Sequence, residues 1–384
     1  MRFEVATATQ IVFGAGVLAE AGRLARPWGS RALVVTGASP QRAEALLGHL
    51  GKAGIAAEVF SFAGEPSTAT VAAALAAAQA AGAQLVIGFG GGSAIDAAKA
   101  VAGLLTNSGD PLDYLELVGA GRTLTQAAAP WMAIPTTAGT GAEVTRNAVL
   151  GVPGHGVKAS LRSPLLLARV ALVDPELTLP LPPALTAASG LDALTQLLEA
   201  YVCRRANPLT DALCAAGLPR AARGLPLACR HPQDLAARTD LALASLWSGL
   251  ALANAGLGAV HGLAAPIGGR FPAPHGAVCA ILLAPVMAAN LAALRARDPQ
   301  NPALGRYTEV ARWLTCRPEA TADEGVAWVG SLVASLPVAR LAAYGVNPGS
   351  FAELAERAQA ASSMKANPIA LETKELEGVL RAAT

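Results

Sequence analysis

Gln84-Leu85-Val86-Ile87-Gly88-Phe89-Gly90-Gly91-Gly92-Ser93-Ala94-Ile95-Asp96-Ala97-Ala98-Lys99 is the stretch on which the reading of this chain turns. Its first six residues form a short apolar run without alternation, the pattern of a strand buried on both faces. The run ends in glycines and passes into a segment of helical composition. Three successive glycines, Gly90 to Gly92, let backbone N–H groups approach an anion with no Cβ in the way. Ser93, followed three residues later by Asp96, predicts a capping pair at the start of the helix, whose unpaired N–H groups then face a pyrophosphate. The same glycines would also serve a plain tight turn, and the spacing is not the GxGxxG of an ordinary dinucleotide fingerprint.

Outward from this segment the alternation repeats. Ala32–Thr36 reads as a buried strand stopped by Gly37, with a helix from about Gln41 to Gly51 and a strand at Ala56–Phe60. A helix at Val71–Ala81 and strands at Trp131–Ile134 and Val170–Val173 complete the series. Strands alternating with helices imply a parallel sheet covered on both faces. A second polar loop, Pro135–Thr145 (PTTAGTGAEVT), follows the Trp131 strand. Its threonines and glycines sit at the carboxyl end of a strand, where ligands collect in open α/β sheets.

Past Pro180-Leu181-Pro182-Pro183 helical periodicity takes over, with candidates near 184–203, 208–222, 233–254, 276–294, 301–314, 322–336 and 350–361. The expected organisation is an α/β dinucleotide-binding domain with a parallel sheet over residues 1–182 and an all-helical metal and substrate domain over 183–384. A length of 384 residues suits two such domains. With 53% hydrophobic and 15% charged residues and a net charge of +2, nothing draws the chain to nucleic acid or anionic membranes. The alanine-rich pieces are expected to fall short of a membrane span. The start Met1-Arg2-Phe3-Glu4 lacks the apolar core of a secretory signal. Five scattered cysteines without a CxxC pair read as reduced thiols, and the expected location is cytoplasmic.

In the second half, Asp192 and Gln196 lie four apart on one helical face. His261 and His275 follow, with Pro266, Pro272 and Pro274 between them on what reads as a connection that also carries Arg270. One carboxylate, one amide and two imidazoles can converge on a divalent cation. Isolated histidines in apolar segments also commonly serve the core, and spacing alone leaves both readings open.

Taken together, these segments resemble the iron-containing alcohol dehydrogenase family. The matching pieces are Gly90–Lys99 (GGGSAIDAAK), Pro135–Thr145, Asp174–Leu179 (DPELTL), Gly190–Tyr201 (GLDALTQLLEAY), Asn207–Leu213 (NPLTDAL), Asn254–His261 (NAGLGAVH), Pro274–Ala277 (PHGA), Ala280–Pro285 (AILLAP) and Asn367-Pro368. The resemblance implies a dehydroquinate synthase-like fold with the active site in the cleft between an α/β and an all-helical domain. It implies metal-assisted hydride transfer between an alcohol and an aldehyde or ketone, and a homodimer. Pyrophosphate contacts would fall on Gly91, Gly92, Ser93 and Asp96, and nicotinamide-side contacts on Thr136, Thr137 and Thr140, with Asn147 and Lys158 as further cofactor contacts. Fe²⁺ or Zn²⁺ would be held by Asp192, Gln196, His261 and His275, with Asp192, His261 and His275 carrying the catalysis.

Three departures colour that picture. Gln196 stands where the family usually has histidine, and an amide is the weaker donor. Ala265 stands where many members have a proton-relaying histidine. NAD-preferring members tend to place an aspartate at the end of the first nucleotide-binding strand, whereas this chain has Gly37. There Gly37 and Ser39 can donate to a 2′-phosphate and Arg42 can add a charge, so NADP is expected ahead of NAD. The changes at 196 and 265 also suit a maleylacetate reductase-like, metal-independent reduction, for which Arg270 would anchor an acidic keto substrate. A dehydroquinate synthase-like lyase is the third reading, against which the apolar segments speak.

Overall fold

In the computed structural model, which describes residues 2–116 and 118–384, the buried apolar runs become strands. They are β1 (Gln10–Phe13), β2 (Arg31–Thr36), β3 (Ala56–Ser61), β4 (Leu85–Gly90), β5 (Trp131–Pro135), β6 (Asn147–Val152), β7 (Val157–Arg162) and β8 (Val170–Val173). Six of them form one parallel sheet in the order β1-β8-β5-β4-β2-β3. Every residue of β4, β5 and β8 is buried, as expected where helices cover both faces. Those helices are α1 (Ala21–Ala25), α2 (Glu44–Lys52), α3 (Thr68–Ala80) and α4 (Gly92–Thr106). Two pieces were not legible in the sequence: the four-residue β1, and the antiparallel β6–β7 hairpin. Gly151, Pro153, Gly154 and Gly156 make the hairpin read as loop.

This α/β unit comprises residues 5–137 and 141–178. The chain leaves β2 for β3 on one side and returns to β4 on the other, so the order reverses between β2 and β4. Such a switch point opens a crevice at the carboxyl ends of the two strands. Close packing sets the helix that follows: a Cβ on Gly88 would lie 2.8 Å from Cβ of Ala98, and one on Gly90 2.7 Å from Cβ of Ala94.

The second unit comprises residues 2–4, 138–140 and 179–384. Its helices are α5 (Pro183–Val202), α6 (Pro208–Arg230), α7 (Leu235–Asn254), α8 (Ala259–Arg270), α9 (His275–Arg297), α10 (Ala303–Thr315), α11 (Ala322–Ala334), α12 (Phe351–Ala360) and α13 (Thr373–Ala383). Three departures from the sequence reading stand out. Helix α6, expected to end near Ala222, runs on through Pro226 to Arg230, because buried Leu225 and Ala228 hold it in the core against the lost backbone bond. The segment bearing His261 and Arg270 is helix α8, not a connection. Helix α9 is long and apolar enough to span a membrane (mean hydropathy 2.2), contrary to expectation, but 72% of that window is buried, which marks a core helix.

Gly88→Ala is expected to destabilise the α/β unit by about 1–3 kcal/mol, since the added methyl must push α4 off the sheet. Thermal melting compared with a Gly37→Ala control, whose Cβ meets nothing within 4 Å, checks this; equal melting temperatures would contradict it.

Candidate functional site

In the helical unit, three helices aim donors at one point. Asp192 comes from α5, His261 from α8, and His275 and Cys279 from α9; one ligand atom from each lies within 4.8 Å of all the others. The Nε2 atoms of His261 and His275 are 3.4 and 3.6 Å from Asp192 Oδ1. That oxygen is buried and receives no hydrogen bond, a costly arrangement unless a cation completes it. The donor set therefore fits a divalent ion.

The helices are fixed by contacts that explain local sequence. Glu199, buried on α5, accepts from the Val260 N–H with Oε1 and pairs with His261 Nδ1 through Oε2, both at 2.7 Å. With Nδ1 so engaged, Nε2 faces Asp192, the orientation found in metal-bound imidazoles. Gly258 before α8 carries no side chain, and a Cβ there would lie 2.7 Å from Asn367 Oδ1 and 2.9 Å from Glu199 Oε1. Gly276 plays the same part for α9, where a Cβ would meet the Ala188 carbonyl at 2.3 Å.

Charges within the cluster shift its groups together. Burial pushes the Asp192 carboxyl up, but His275 and His261 outweigh it and hold the group below the ordinary value. Burial pushes the His261 imidazole down, but Cys279, Asp192 and Glu199 raise it well above the usual range. For His275, Cys279 first and then Asp192 overcome burial and raise it to about 9.

Gln196, expected as a weak fourth ligand, is engaged by protein partners. Its Oε1 accepts from Ser248 Oγ at 2.8 Å and its Nε2 donates to the Thr140 carbonyl at 3.3 Å, so the amide is satisfied by neutral partners. Cys279 is the donor that the sequence reading missed; its signal was the spacing of four from His275 on an apolar helix. Arg270 is not the expected substrate anchor. It ends α8, pairs with Glu353 on α12, and its guanidinium lies 5.5 Å from the Phe271 ring centre. Ala265, one turn after His261, is exposed.

In the α/β unit, Gly37 and Gly90 end the two strands that flank the switch point, and a Cβ on Gly90 would lie 3.6 Å from the Gly37 nitrogen. Gly91, the N-cap of α4, has Thr137 beside it, with 3.3 Å from a Cβ there to the threonine methyl. The expected Ser93–Asp96 cap is absent: α4 begins at Gly92 and no side chain caps it. Asp96 instead pairs with Lys99 at 3.5 Å and accepts from the Val149 N–H at 3.1 Å. Thr136 is buried and donates its N–H to the Gly90 carbonyl. Arg42 donates to the Leu177 carbonyl at 3.0 Å. Asn147 and Lys158 lie on the hairpin, where Lys158 pairs with Glu65. Gly92 and Ser93 open α4, Ser39 is exposed just before the turn into α2, and Thr140 belongs to the helical unit.

Lys99, unassigned by the sequence reading, organises the loop after β5. Fully buried, it donates to the Ala142 carbonyl, Thr145 Oγ1 and the Asn147 carbonyl at 2.9, 2.9 and 2.7 Å. Burial raises the neighbouring Glu143 to about 7, although Lys99 pulls the other way.

The comparisons with known proteins agree across the chain. Residues 8–175 match the family described as iron-containing alcohol dehydrogenase, and residues 186–384 match the Fe-containing alcohol dehydrogenase family, C-terminal. Alcohol dehydrogenase 4 of Saccharomyces cerevisiae is 36% identical over 319 residues, 83% of this chain and 80% of that protein. Long-chain-alcohol dehydrogenase 1 of Geobacillus thermodenitrificans is 47% identical over 203 residues, 53% of this chain and 51% of that protein. A crystal structure of 1,3-propanediol oxidoreductase matches with a TM-score of 0.93 at 31% identity, covering 100% of both chains.

Glu143 generates a pH prediction. Its carboxyl ionises near 4.5 when unfolded and near 7 when folded, so the native state binds the extra proton and loses stability as pH rises from 4.5 to 7. The loss approaches at most about 3 kcal/mol. Glu143→Gln removes it, so the melting-temperature difference, variant minus wild type, should grow more positive across that window. A difference independent of pH would contradict the assignment.

Proposed function

The chain belongs to the iron-containing alcohol dehydrogenase family and interconverts an alcohol and an aldehyde or ketone with a nicotinamide coenzyme, and from that premise we propose how its own residues divide the work. Asp192, His261 and His275 hold a divalent cation, Fe²⁺ or Zn²⁺. The observation that carries this is the buried Asp192 oxygen without a hydrogen bond, facing two imidazole nitrogens. Such an ion, when bound, supplies Lewis acidity to the alcohol or carbonyl oxygen.

The protein's part is orientation and proton handling. Glu199 holds the His261 ring so that Nε2 keeps its aim. In the α/β unit, Gly91 leaves the uncapped N-terminus of α4 open to a pyrophosphate, with Gly92, Ser93 and Asp96 following on that helix. Thr136, Thr137, Thr140, Asn147 and Lys158 complete the coenzyme contacts in this reading, although Asp96 and Lys158 already have protein partners. Gly37 and Ser39, at the strand end beside the switch point, suit the 2′-phosphate of NADP, with no carboxylate at Gly37 to repel it. Arg42 is tied to Leu177 and is left out. At exposed Ala265, where a relaying imidazole would sit, water carries the alcohol proton.

The pairing of Arg270 with Glu353 engages the cation expected to anchor an acidic substrate, and we favour a neutral alcohol or carbonyl compound. Five free thiols support a reducing compartment, and we place the enzyme in the cytoplasm as a homodimer.

Gly91→Val tests the glycine loop. Gly91 has φ −74, which valine accepts, but its Cβ would press on Thr137, so thermal melting is measured beside binding, and in a folded variant coenzyme binding should weaken by more than roughly tenfold. Unchanged binding in a folded variant would remove the phosphate assignment. Gly37→Asp tests coenzyme choice: its Cβ meets nothing within 4 Å, and the new carboxylate should move preference toward NAD. Steady-state kcat/KM with both coenzymes is the measurement, and a wild type roughly tenfold or more better with NAD would overturn the NADP reading.

A further inference from the structure

We propose that Cys279 is itself a metal ligand, so that this chain holds its ion through Asp192, His261, His275 and a thiolate, a mixed O/N/N/S set suited to Zn²⁺ over Fe²⁺. The inference rests on the metal-binding reading above and concerns which atoms of this chain complete the site.

The distances carry it. Zinc takes nitrogen or oxygen at about 2.0–2.1 Å and sulfur at about 2.3 Å in tetrahedral geometry, which makes the tetrahedron's edges roughly 3.3 Å between two N or O atoms and roughly 3.6 Å between N and S. Asp192 Oδ1 lies 3.4 and 3.6 Å from the two imidazole Nε2 atoms. Cys279 Sγ lies 3.8 Å from Nε2 of His261 and 3.6 Å from Nε2 of His275. Four measured edges thus fall near those of a zinc tetrahedron, and all four donor atoms lie within 4.8 Å of one another.

The sequence supplies the geometry. His275 and Cys279 are one helical turn apart, which puts both on one face of α9. The packing of Gly276 on the Ala188 carbonyl brings that face against α5, where Asp192 resides. Cys279 is fully buried, yet its sulfur meets two imidazole nitrogens, a contact that an inert core thiol does not need.

Gln196 supports the assignment from the other side, because its amide is engaged by Ser248 and the Thr140 carbonyl. Thiolate coordination also changes the chemistry. Loading the ion displaces the Cys279 proton to solvent, and the two negative donors then balance the divalent charge. Soft sulfur favours zinc, whereas an all-N/O set accommodates ferrous iron.

The test uses the full chain, freed of metal and reloaded with Co²⁺ or Zn²⁺. Wild type should show a near-ultraviolet sulfur-to-cobalt charge-transfer band, and X-ray absorption of the zinc form should show one sulfur at about 2.3 Å. Cys279→Ser should lose both signals, still bind one ion through the remaining donors, and bind zinc more weakly by more than roughly tenfold. Gln196→Ala should keep both. One ion bound by nitrogen and oxygen alone in wild type, or a band that persists in Cys279→Ser, overturns the thiolate ligand while leaving the metal reading intact. No ion bound at all overturns both.

Discussion

The carboxylate of Glu199 is the joint from which the helical unit is hung. It is buried on α5 and spends both oxygens on α8, one on the Val260 N–H and one on His261 Nδ1. Helix α8 begins after a glycine that cannot cap it, so its first N–H groups depend on side chains from elsewhere. Asn367 takes the Ala259 N–H and is itself hydrogen-bonded to Asn290 on α9. A negative group at a helix N-terminus is favoured by the helix dipole, and leaving a buried donor unmet would cost about 1–3 kcal/mol. The same three helices, α5, α8 and α9, carry the four donors of the candidate metal site. The bond that stabilises the bundle is thus also the bond that turns an imidazole nitrogen toward Asp192.

A buried cation plays the matching part in the α/β unit. Lys99 reaches from α4 into the loop after β5 and the start of the hairpin, and gathers oxygens from Ala142, Thr145 and Asn147. Burial lowers the pull of its proton, and Asp96, at 3.5 Å, opposes that effect. Asp96 in turn takes the Val149 N–H on β6. Asp96 and Lys99 of the glycine-rich motif therefore brace the helix against its neighbours, while no side chain caps its N-terminus at Gly91. The sequence pattern mixes two functions on one helix, and only the contacts separate them.

What could be read in advance follows from periodicity. The strands around Gly37 and Gly90 are continuous apolar runs bounded by glycine, and their parallel pairing follows from the intervening helices. Asp192, His261 and His275 stood out as polar residues in apolar surroundings, and the structure brings them together. The failures share a cause in local chemistry overridden by packing. Gly262, Pro266, Gly268 and Gly269 disguised α8 as a loop, and Pro226 hid the end of α6 beyond Ala222. Cys279 looked like a small core residue because its neighbours on α9 are apolar, and no spacing rule reports where a sulfur points.

The exchange of roles between positions 196 and 279 has a consequence for charge. A histidine at position 196, as the resemblance leads one to expect, would leave a site with a single carboxylate and three neutral imidazoles around a divalent ion, with one net positive charge. Here an amide faces Ser248 and the Thr140 carbonyl instead, and a thiolate from α9 would bring the net charge to zero. A neutral centre binds its ion more tightly and draws electron density from a substrate oxygen less strongly, because the positive charge that polarises that oxygen is already offset by sulfur. Nothing else charged lies among the four donors; Glu199 adds a negative charge through His261 and moves the balance further in the same direction. With Cys279 as a ligand, the helical unit would retain a metal ion firmly, and the Lewis acidity of that ion would be set by how closely the sulfur approaches it.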